Sequence, residues 1–550
     1  MSRVAETANV NLAETPNNVY RRATVLGFML CGVLTLAGLF FPPSLSHDAG
    51  WGMQEWRTLA AGGPFNTTVS PDPRDISRDQ ASFVTWWSPG QYLIPGALTL
   101  IGIPLGTALT ISAGVSLLCC LLGWIQVARY FTLGPRTAML VVAFMATFRY
   151  STVPFGIYNG GEVLLQGLTP WIILAGCRIP FMGALRAAGL ACLTVWIAFF
   201  AKLTGMMVAS FALLIGAVEA LGRLRRITAG MVAGAVGAIL AFGFLYVVWF
   251  SRGSTPASGT GWSFRLGDVL FALLAPWGAG ISWGDMLAAL LRRSTVDAPT
   301  EGHLPPLFLW CLLPPLILFL TVILRGWQQR LDDENLNRLI KVTVGFYVVC
   351  AFAMSAIFLH GGDVSLEERH LRAAGMLIFV CVMAVISRMP RNSLTRLAVL
   401  ALCGLMSLYG CFAFARSARS TKRGDIDRYS RTHQTSVNES AIEFARTAFA
   451  RDGRDSLFVL PSPEVASAFS PSVRILTHHV EFESEATISA RTYHGNVQGH
   501  LYVIMPTQIA ESAKGPLLLK EFIDYPFDAW EKNSFGSSTV FVQGKPGVPN

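Results

Sequence analysis

Charge is what this chain has least of. Only 14% of its 550 residues are Asp, Glu, Lys or Arg, against about 25% in an ordinary soluble chain. With 52% hydrophobic residues and a mean hydropathy of +0.47, that shortage excludes a water-soluble globular protein. Cysteine is missing where it would cross-link: all ten lie in apolar runs and none in the polar C-terminal part. That leaves no disulfide framework and no CxxC metal pair, only small apolar packing residues. The C-terminal part has no GxGxxG or P-loop motif, so nothing marks it as a nucleotide site. No internal repeat is visible. The net charge of +9 is no sign of nucleic acid as a partner. Most of the Lys and Arg sits in short loops between apolar runs, as the positive-inside rule produces.

What is there is a series of apolar runs, each about 20 residues long, the length that crosses a bilayer. About eleven spans are expected, near 22–41, 106–130, 136–153, 162–178, 185–201, 203–221, 227–250, 305–325, 341–359, 371–387 and 394–414. Basic residues between alternate spans place the N-terminus in the cytoplasm and the C-terminus outside. The basic run Arg416–Arg423 falls outside in this topology; charges beside a translocated domain weigh less, so the topology stands. Pro89–Leu105 is too broken by Pro and Gly to span and reads as an interfacial helix. Trp262, Trp277 and Trp283 suggest that 251–303 also lies in the interface. From 424 the composition turns polar. A helix over Asn438–Ala450 and the runs Leu457–Leu460, Val473–Thr477, Leu501–Met505 and Thr539–Val542 predict a small α/β domain with a buried sheet. The expected fold class is thus an all-α polytopic membrane protein with a small C-terminal α/β domain. Its parts are a disordered tail 1–20, a transmembrane domain 21–415 with an outer loop 42–105, and an outer domain 424–550.

The stretch His47–Gly106 holds Asp48, Glu55, Asp72, Asp75 and Asp79 together with Trp51, Trp56, Trp86 and Trp87. Asp48 follows the first span closely, so its carboxylate sits just above the membrane surface. There it can take a proton from an acceptor hydroxyl as a general base; the alternative is a solvated loop acid or a helix cap. Asp72, Asp75 and Asp79 lie in a polar segment that looks solvated. Arg57, Arg149, Lys202, Arg369 and Arg372 lie on the outer side, where Lys and Arg should be scarce. Binding of a phosphate explains them; snorkelling to lipid headgroups is the alternative. One carboxylate and a basic cluster suffice for inverting transfer of a sugar from a lipid phosphate. The leaving group is already a stable anion and needs no acid, and the cations stabilise its developing charge.

Four features then carry a resemblance: the acid after the first span, the segment Ser88-Pro89-Gly90-Gln91-Tyr92 with Gly102 beyond it, the turn Lys202-Leu203-Thr204-Gly205, and Glu368-Arg369-His370-Leu371 before a late span. Over roughly residues 20–415 the chain resembles integral-membrane glycosyltransferases of the GT-C fold, of the protein O-mannosyltransferase and lipid A aminoarabinose transferase type. The resemblance implies Asp48 as base or metal-associated acid, Glu162 as a second acid, and Arg57, Lys202 and Arg369 around a polyprenyl-phosphate-linked sugar donor. A divalent metal cation, if any, would lie on Asp48 and Glu162. His47, Glu55, Glu368 and His370 are further candidates. Asp48-Ala49 stands where many members carry Asp-Glu or Glu-Asp, and Arg369-His370 where they carry Arg-Tyr, which leaves metal dependence and donor identity open. The expected setting is a bacterial inner membrane, with membrane lipids as partners and a periplasmic glycan, lipid or protein as acceptor. The rival readings are a ligase or polymerase using a diphosphate-linked oligosaccharide, a lipid or sugar transporter, and a noncatalytic scaffold. Transporters carry ionisable residues near the bilayer centre and often repeated halves, which these spans lack.

Overall fold

A computed structural model describes residues 16–253, 261, 262, 264–291, 305–328, 333–361, 364–423 and 425–543. Of the tail expected over 1–20, residues 1–15 lie outside the described residues, and 16–20 are corrected to the start of a helix. The first span is α1 (Pro16–Phe40). A two-residue strand, β1 (Ser44–Leu45), turns the chain into α2 (His47–Ala60), whose N-terminus is capped by the Ser46 hydroxyl accepting from Ala49 N–H at 3.3 Å. A hairpin follows, β2 (Thr67–Asp72) and β3 (Asp75–Phe83), then the short helix α3 (Gly90–Leu100) with Pro95 inside it. So 42–105 is a built subdomain, and α3, at 11 residues, is the non-spanning helix its Pro and Gly content predicted.

The bundle continues through α4 (Leu105–Tyr130), the pair α5 (Pro135–Met145) and α6 (Arg149–Thr152), and β4 (Ile157–Tyr158). Then come α7 (Gly161–Arg178), α8 (Ala184–Ala201), α9 (Gly205–Leu224) and α10 (Ala229–Leu245). Among the described residues nine helices are long and apolar enough to cross a membrane, or up to eleven if two bent pairs count. The span expected at 136–153 is one of these pairs, bent by 63°. The span expected at 371–387 is the helix Arg372–Ile386, in which every residue from Ala373 to Ile386 is buried. A helix that is apolar all round belongs inside a bundle.

The segment expected to lie in the interface is corrected by the structure. Leu266–Ala279 (α11) and Trp283–Leu290 (α12) form a pair bent by 110°. Its middle is built into the bundle: Phe271, Ala275 and Trp277 are buried, while Trp262, Phe264 and Leu290 stay exposed. The cause is close backbone approach. A Cβ on Gly280 would lie 2.1 Å from the Gly375 carbonyl oxygen, so the pair wedges against Arg372–Ile386 where larger residues would hold it off.

The last span, Leu394–Arg423, leads into a ribbon of β5 (Asp425–Ile426) and β6 (His433–Gln434). Beyond it lies a five-stranded sheet of β7 (Leu457–Leu460), β8 (Arg474–Thr477), β9 (Leu501–Pro506), β10 (Glu531–Phe535) and β11 (Ser538–Gln543). Its order is β10-β11-β9-β7-β8, parallel at β8-β7-β9 and antiparallel beyond. Leu457, Val459 and Val503 face one core, and Phe458, Tyr502 and Ile504 the other, the alternation a sheet covered on both faces requires. The helix predicted at 438–450 runs Glu439–Asp452 with Asn438 as its cap.

This domain is fixed onto the membrane half. Ile76 of β3 is fully buried in its core. Arg474 pairs with Asp79 at 2.7 Å and donates to the Ile76 carbonyl at 2.8 Å, so Asp79, though exposed as expected, also joins the two halves. Gly50 of α2 lies so near the turn at Glu464 that an added Cβ would sit 2.6 Å from the Glu464 backbone nitrogen. Gly50→Ala must push the two apart, and overpacking of this kind lowers stability by about 1–3 kcal/mol. Gly222→Ala in α9 meets nothing within 4 Å, and thermal unfolding should show it equal to or above wild type while Gly50→Ala melts lower.

Candidate active site

The site begins with two residue pairs. Ser44 pairs with Ile157 and Leu45 with Tyr158 in the parallel ladder β1–β4. This sets the N-termini of α2 and α7 side by side, with Asp48 and Glu162 each in the first turn of its helix. Negative charge is favoured there, because the unpaired N–H groups of a first turn carry positive potential. Gly160, at φ 58°, makes the turn into α7, where a side chain would collide with Gln91.

Between the two acids stands Arg369. Its Nη1 donates to Asp48 Oδ2 and to Glu162 Oε1, both at 3.0 Å, and its Nε lies 2.6 Å from Glu367 Oε2. Lys202, at the end of α8, donates to the same Glu162 oxygen. Glu162 is only 10% exposed and Asp48 36%; that difference makes Asp48 the acid more open to the cavity. Burial first, and then the charges of Lys202 and Arg369, push the His370 imidazole well below its usual range, so it is neutral between two cations.

These groups line a cavity of about 650 Å³, walled by Trp51, Trp86, Trp87, Ser88 and Gln91 and closed on one side by His479 of the C-terminal domain. Trp51 Nε1 donates to His479 Nε2 at 2.7 Å, and His47 Nε2 lies 2.5 Å from the same nitrogen. Burial brings the His479 pKa down to about 4, so it accepts from Trp51 as a neutral ring.

A second cluster adjoins the first through a void of about 20 Å³ lined by Glu162, Lys202, Arg369 and Arg372, room for one water. Arg149 and Arg372 converge on Asp285 of α12 at 2.6 and 3.5 Å. Arg372 lies over the Tyr150 ring at 5.3 Å, and Glu368 accepts from Gly284 N–H at 2.7 Å. The predicted residues therefore fall into three groups. Asp48, Glu162, Lys202, Arg369, His370 and His47 share the cavity; Arg149, Arg372 and Glu368 stand next door; Arg57 and Glu55 are elsewhere.

Arg57 is a correction. Its guanidinium donates to the carbonyls of Ala466, Phe469, Ser470 and Val473, so both of its terminal nitrogens tie α2 to the C-terminal domain, away from the cavity that holds Asp48. Glu55 is a second. It is fully buried against Tyr92, and burial pushes its carboxyl well above the usual range, which makes it a neutral packing group outside the cavity. Sequence reasoning missed Asp285, a lone acid in an apolar stretch, and His479, marked only by a pair of histidines after a strand.

A metal does not fit these residues. The two carboxylates named for it are already held by a guanidinium and an ammonium group. Among the described residues no group of three or more His, Cys, Asp or Glu is placed to hold an ion.

The Glu368 carboxyl is pushed up to about 8, first by burial and then by Asp285. Between its ordinary value of 4.5 and about 8 the folded protein holds a proton that the unfolded chain has released, so stability falls as pH rises through that window. Glu368→Gln removes this dependence. Thermal unfolding between pH 5 and 8 should show a shallower decline for Glu368→Gln than for wild type; equal slopes would mean that Glu368 is ionised in its niche.

No family model matches the sequence, and no curated protein matches it. Solved structures do. The crystal structure of ArnT from Cupriavidus metallidurans bound to undecaprenyl phosphate aligns over 94% of this chain and 97% of that one, at 11% identity and a TM-score of 0.52. The apo ArnT structure covers the same shares at 14% identity and a TM-score of 0.42. The cryo-EM structure of the mycobacterial arabinofuranosyltransferase AftD covers 96% of this chain at 14% identity and a TM-score of 0.45. This chain spans about 40% of the length of AftD. The likeness to the lipid-bound ArnT structure shows the fold: the chain has the GT-C membrane architecture with a small C-terminal sheet domain.

Proposed function

We propose that this protein is a membrane glycosyltransferase that moves a sugar from a polyprenyl-phosphate donor to an acceptor hydroxyl, with inversion. The observation that carries the reading is the convergence of Lys202 and Arg369 beside the half-exposed Asp48, in one cavity at the ends of the spans. The fold supports it, since the structure it resembles with a TM-score of 0.52 is of a transferase bound to undecaprenyl phosphate.

In this reading the donor phosphate takes its place against Lys202 and Arg369, and the sugar lies toward Asp48. The acceptor hydroxyl gives its proton to Asp48 as its oxygen bonds to the anomeric carbon. The bond from that carbon to the phosphate oxygen breaks, and its electron pair leaves with the lipid phosphate. The cations stabilise the charge gathering there, and the buried Glu162 positions both of them. The cavity and the C-terminal domain lie on the periplasmic side of an inner membrane. The basic residues Arg129, Arg178, Arg223 and Arg388 at the opposite helix ends support that orientation.

Asp48→Asn keeps size and hydrogen bonding but removes the base. General base catalysis is worth about 10²–10⁴-fold, so sugar transfer should fall by that much while the protein still folds and still binds undecaprenyl phosphate. Asp75→Asn in the hairpin should leave turnover unchanged. Near-normal transfer by Asp48→Asn would make Asp48 a structural acid.

The cations are tested by binding of undecaprenyl phosphate alone. A charge-assisted hydrogen bond is worth about 1.5–3 kcal/mol, so Lys202→Met and Arg369→Met should each weaken binding by roughly 10- to 100-fold. Arg57→Met should leave the affinity intact and lower the melting temperature, because each buried carbonyl it abandons costs about 1–3 kcal/mol. Loss of lipid affinity in Arg57→Met with none in Lys202→Met would reverse the assignment.

A further inference from the structure

The turn between α3 and α4 stands at the same end of the bundle as Asp48. Two apolar spans meet that end, Tyr20–Phe40 finishing there and Leu105–Tyr130 starting there. They lie side by side: a Cβ on Gly106 would be 3.3 Å from the Pro42 side chain. The tip of the β5–β6 ribbon comes down onto this end of α4. Gly106 N–H donates to the Ser430 carbonyl at 2.8 Å, and a Cβ on Gly106 would lie 2.0 Å from the Arg431 carbonyl oxygen. Around the turn large apolar side chains are open: Phe40 is 78% exposed, Leu100 71% and Ile101 73%. Apolar groups left uncovered at the ends of spanning helices mark the level of lipid.

Between this turn, α2 and the C-terminal domain is a cavity of about 290 Å³ that shares no lining residue with the one holding Asp48. Met53, Trp56 and Phe469 give it apolar walls, and none of its lining residues is acidic. Its charge is positive. Arg57 lines it with a buried guanidinium. Four carbonyls satisfy the hydrogen bonds of that group and leave its charge in place, since no acid pairs with it among the described residues. A buried charge with no counter-ion is costly, and an anion beside it relieves the cost. Ile103, Pro104 and Leu105 bring the N-terminus of α4 to the same cavity, where free N–H groups add positive potential. Arg431 is exposed and follows the lining residue Ser430; Asp427, in the same turn, pairs with Arg446 instead. Tyr429 lines the cavity and is 61% exposed, an aromatic with a polar tip of the kind that suits a lipid–water boundary.

We infer that this cavity holds the headgroup of an anionic glycerophospholipid from the adjoining leaflet. The phosphate is drawn to Arg57, Arg431 and the start of α4, and the acyl chains run past Leu100 and Ile101 into the bilayer. Charge and position together select this ligand. A free phosphate accounts for the cations but not for the open apolar residues beside them. A polyprenyl-phosphate donor has its place, in the reading above, in the separate cavity beside Lys202 and Arg369. A lipid bound here touches Trp56 of the membrane half and Phe469 of the C-terminal domain, and so fastens the second to the membrane along the seam that Arg57 already closes.

The test is lipid retention by the full-length protein, loaded in nanodiscs of phosphatidylglycerol or phosphatidylcholine, released into detergent and weighed by native mass spectrometry. Phosphatidylglycerol should be kept and phosphatidylcholine lost. Added phosphatidylglycerol should also raise the melting temperature in detergent, because a ligand of the native state stabilises it. Thr99→Trp fills the cavity from α3 and Ser467→Trp from the C-terminal domain. Each should weaken retention about tenfold or more, and a folding failure in one leaves the other to decide. Arg431→Asn removes one charge with a residue that tolerates the left-handed backbone there, φ 53°, and should weaken retention about fivefold, the worth of one cation at an anionic surface. Lys202→Met, in the other cavity, should keep phosphatidylglycerol like wild type. The inference is overturned if phosphatidylglycerol is not retained, if phosphatidylcholine is kept equally, or if inorganic phosphate alone gives the same rise in melting temperature. It is overturned equally if undecaprenyl phosphate takes the place of phosphatidylglycerol, or if both filled variants retain the lipid like wild type.

Discussion

The structure depends on one guanidinium shared by three acids. Burying an ion costs several kcal/mol unless it is paired and hydrogen-bonded, and Arg369 touches Asp48, Glu162 and Glu367 at once. Around it the charges come in matched sets. Lys202 joins Arg369 on Glu162, and Arg149 and Arg372 share Asp285. Asp48, Glu162, Glu367 and Asp285 thus face four cations, and the balance holds only because burial keeps Glu368 protonated near neutral pH. Such a set is stable when empty and responsive when a further anion enters. A phosphate that takes Arg369 must draw it away from an acid, and the exposed partner is Asp48. Donor binding then frees the carboxylate that the proposed chemistry needs.

This arrangement is made by backbone, at a point of little sequence content. The β1–β4 ladder is two residues long on each side, yet it sets α2 against α7 and so puts the two acids one guanidinium apart. The C-terminal domain holds α2 from the other side through Arg57, Arg474 and the contact at Gly50. The helix carrying Asp48 is clamped between bundle and sheet, so the backbone that presents this carboxylate is fixed from both sides.

Much of this was legible in the sequence, for physical reasons that can be named. Long apolar runs announce spanning helices because nothing else satisfies a backbone in lipid, and the strands of the sheet show as short β-rich runs between polar segments. β10 does not, since Glu531–Phe535 is a mostly polar edge strand whose one strand neighbour is β11. The pair α11–α12 was misread because Trp near a membrane boundary suits an interfacial helix and a buried bend equally; only the Gly280–Gly375 approach decides between them. The clustering of Asp48, Glu162, Lys202 and Arg369 followed from topology, which put all four at one end of the bundle. Arg57 has the same sequence signature, and what separates it is tertiary: its direction on α2 turns it toward four carbonyls. Asp285 and His479 could not be read from spacing, because each reaches the site through a contact some hundred residues or more from its partner.

The two acids, alike in sequence context, divide by depth. Glu162 is largely buried beneath two cations, where Lys202 and Arg369 hold its ionisation and little of it opens onto the cavity. Asp48 occupies the same helical position one element away, yet its side chain is more than three times as exposed, 36% against 10%, and it shares its face of the cavity with Trp51 and His479. A general base must meet its substrate within hydrogen-bond reach before its proton affinity matters. In the proposed reaction, access therefore favours the shallower acid for taking the proton and the deeper one for organising the cations.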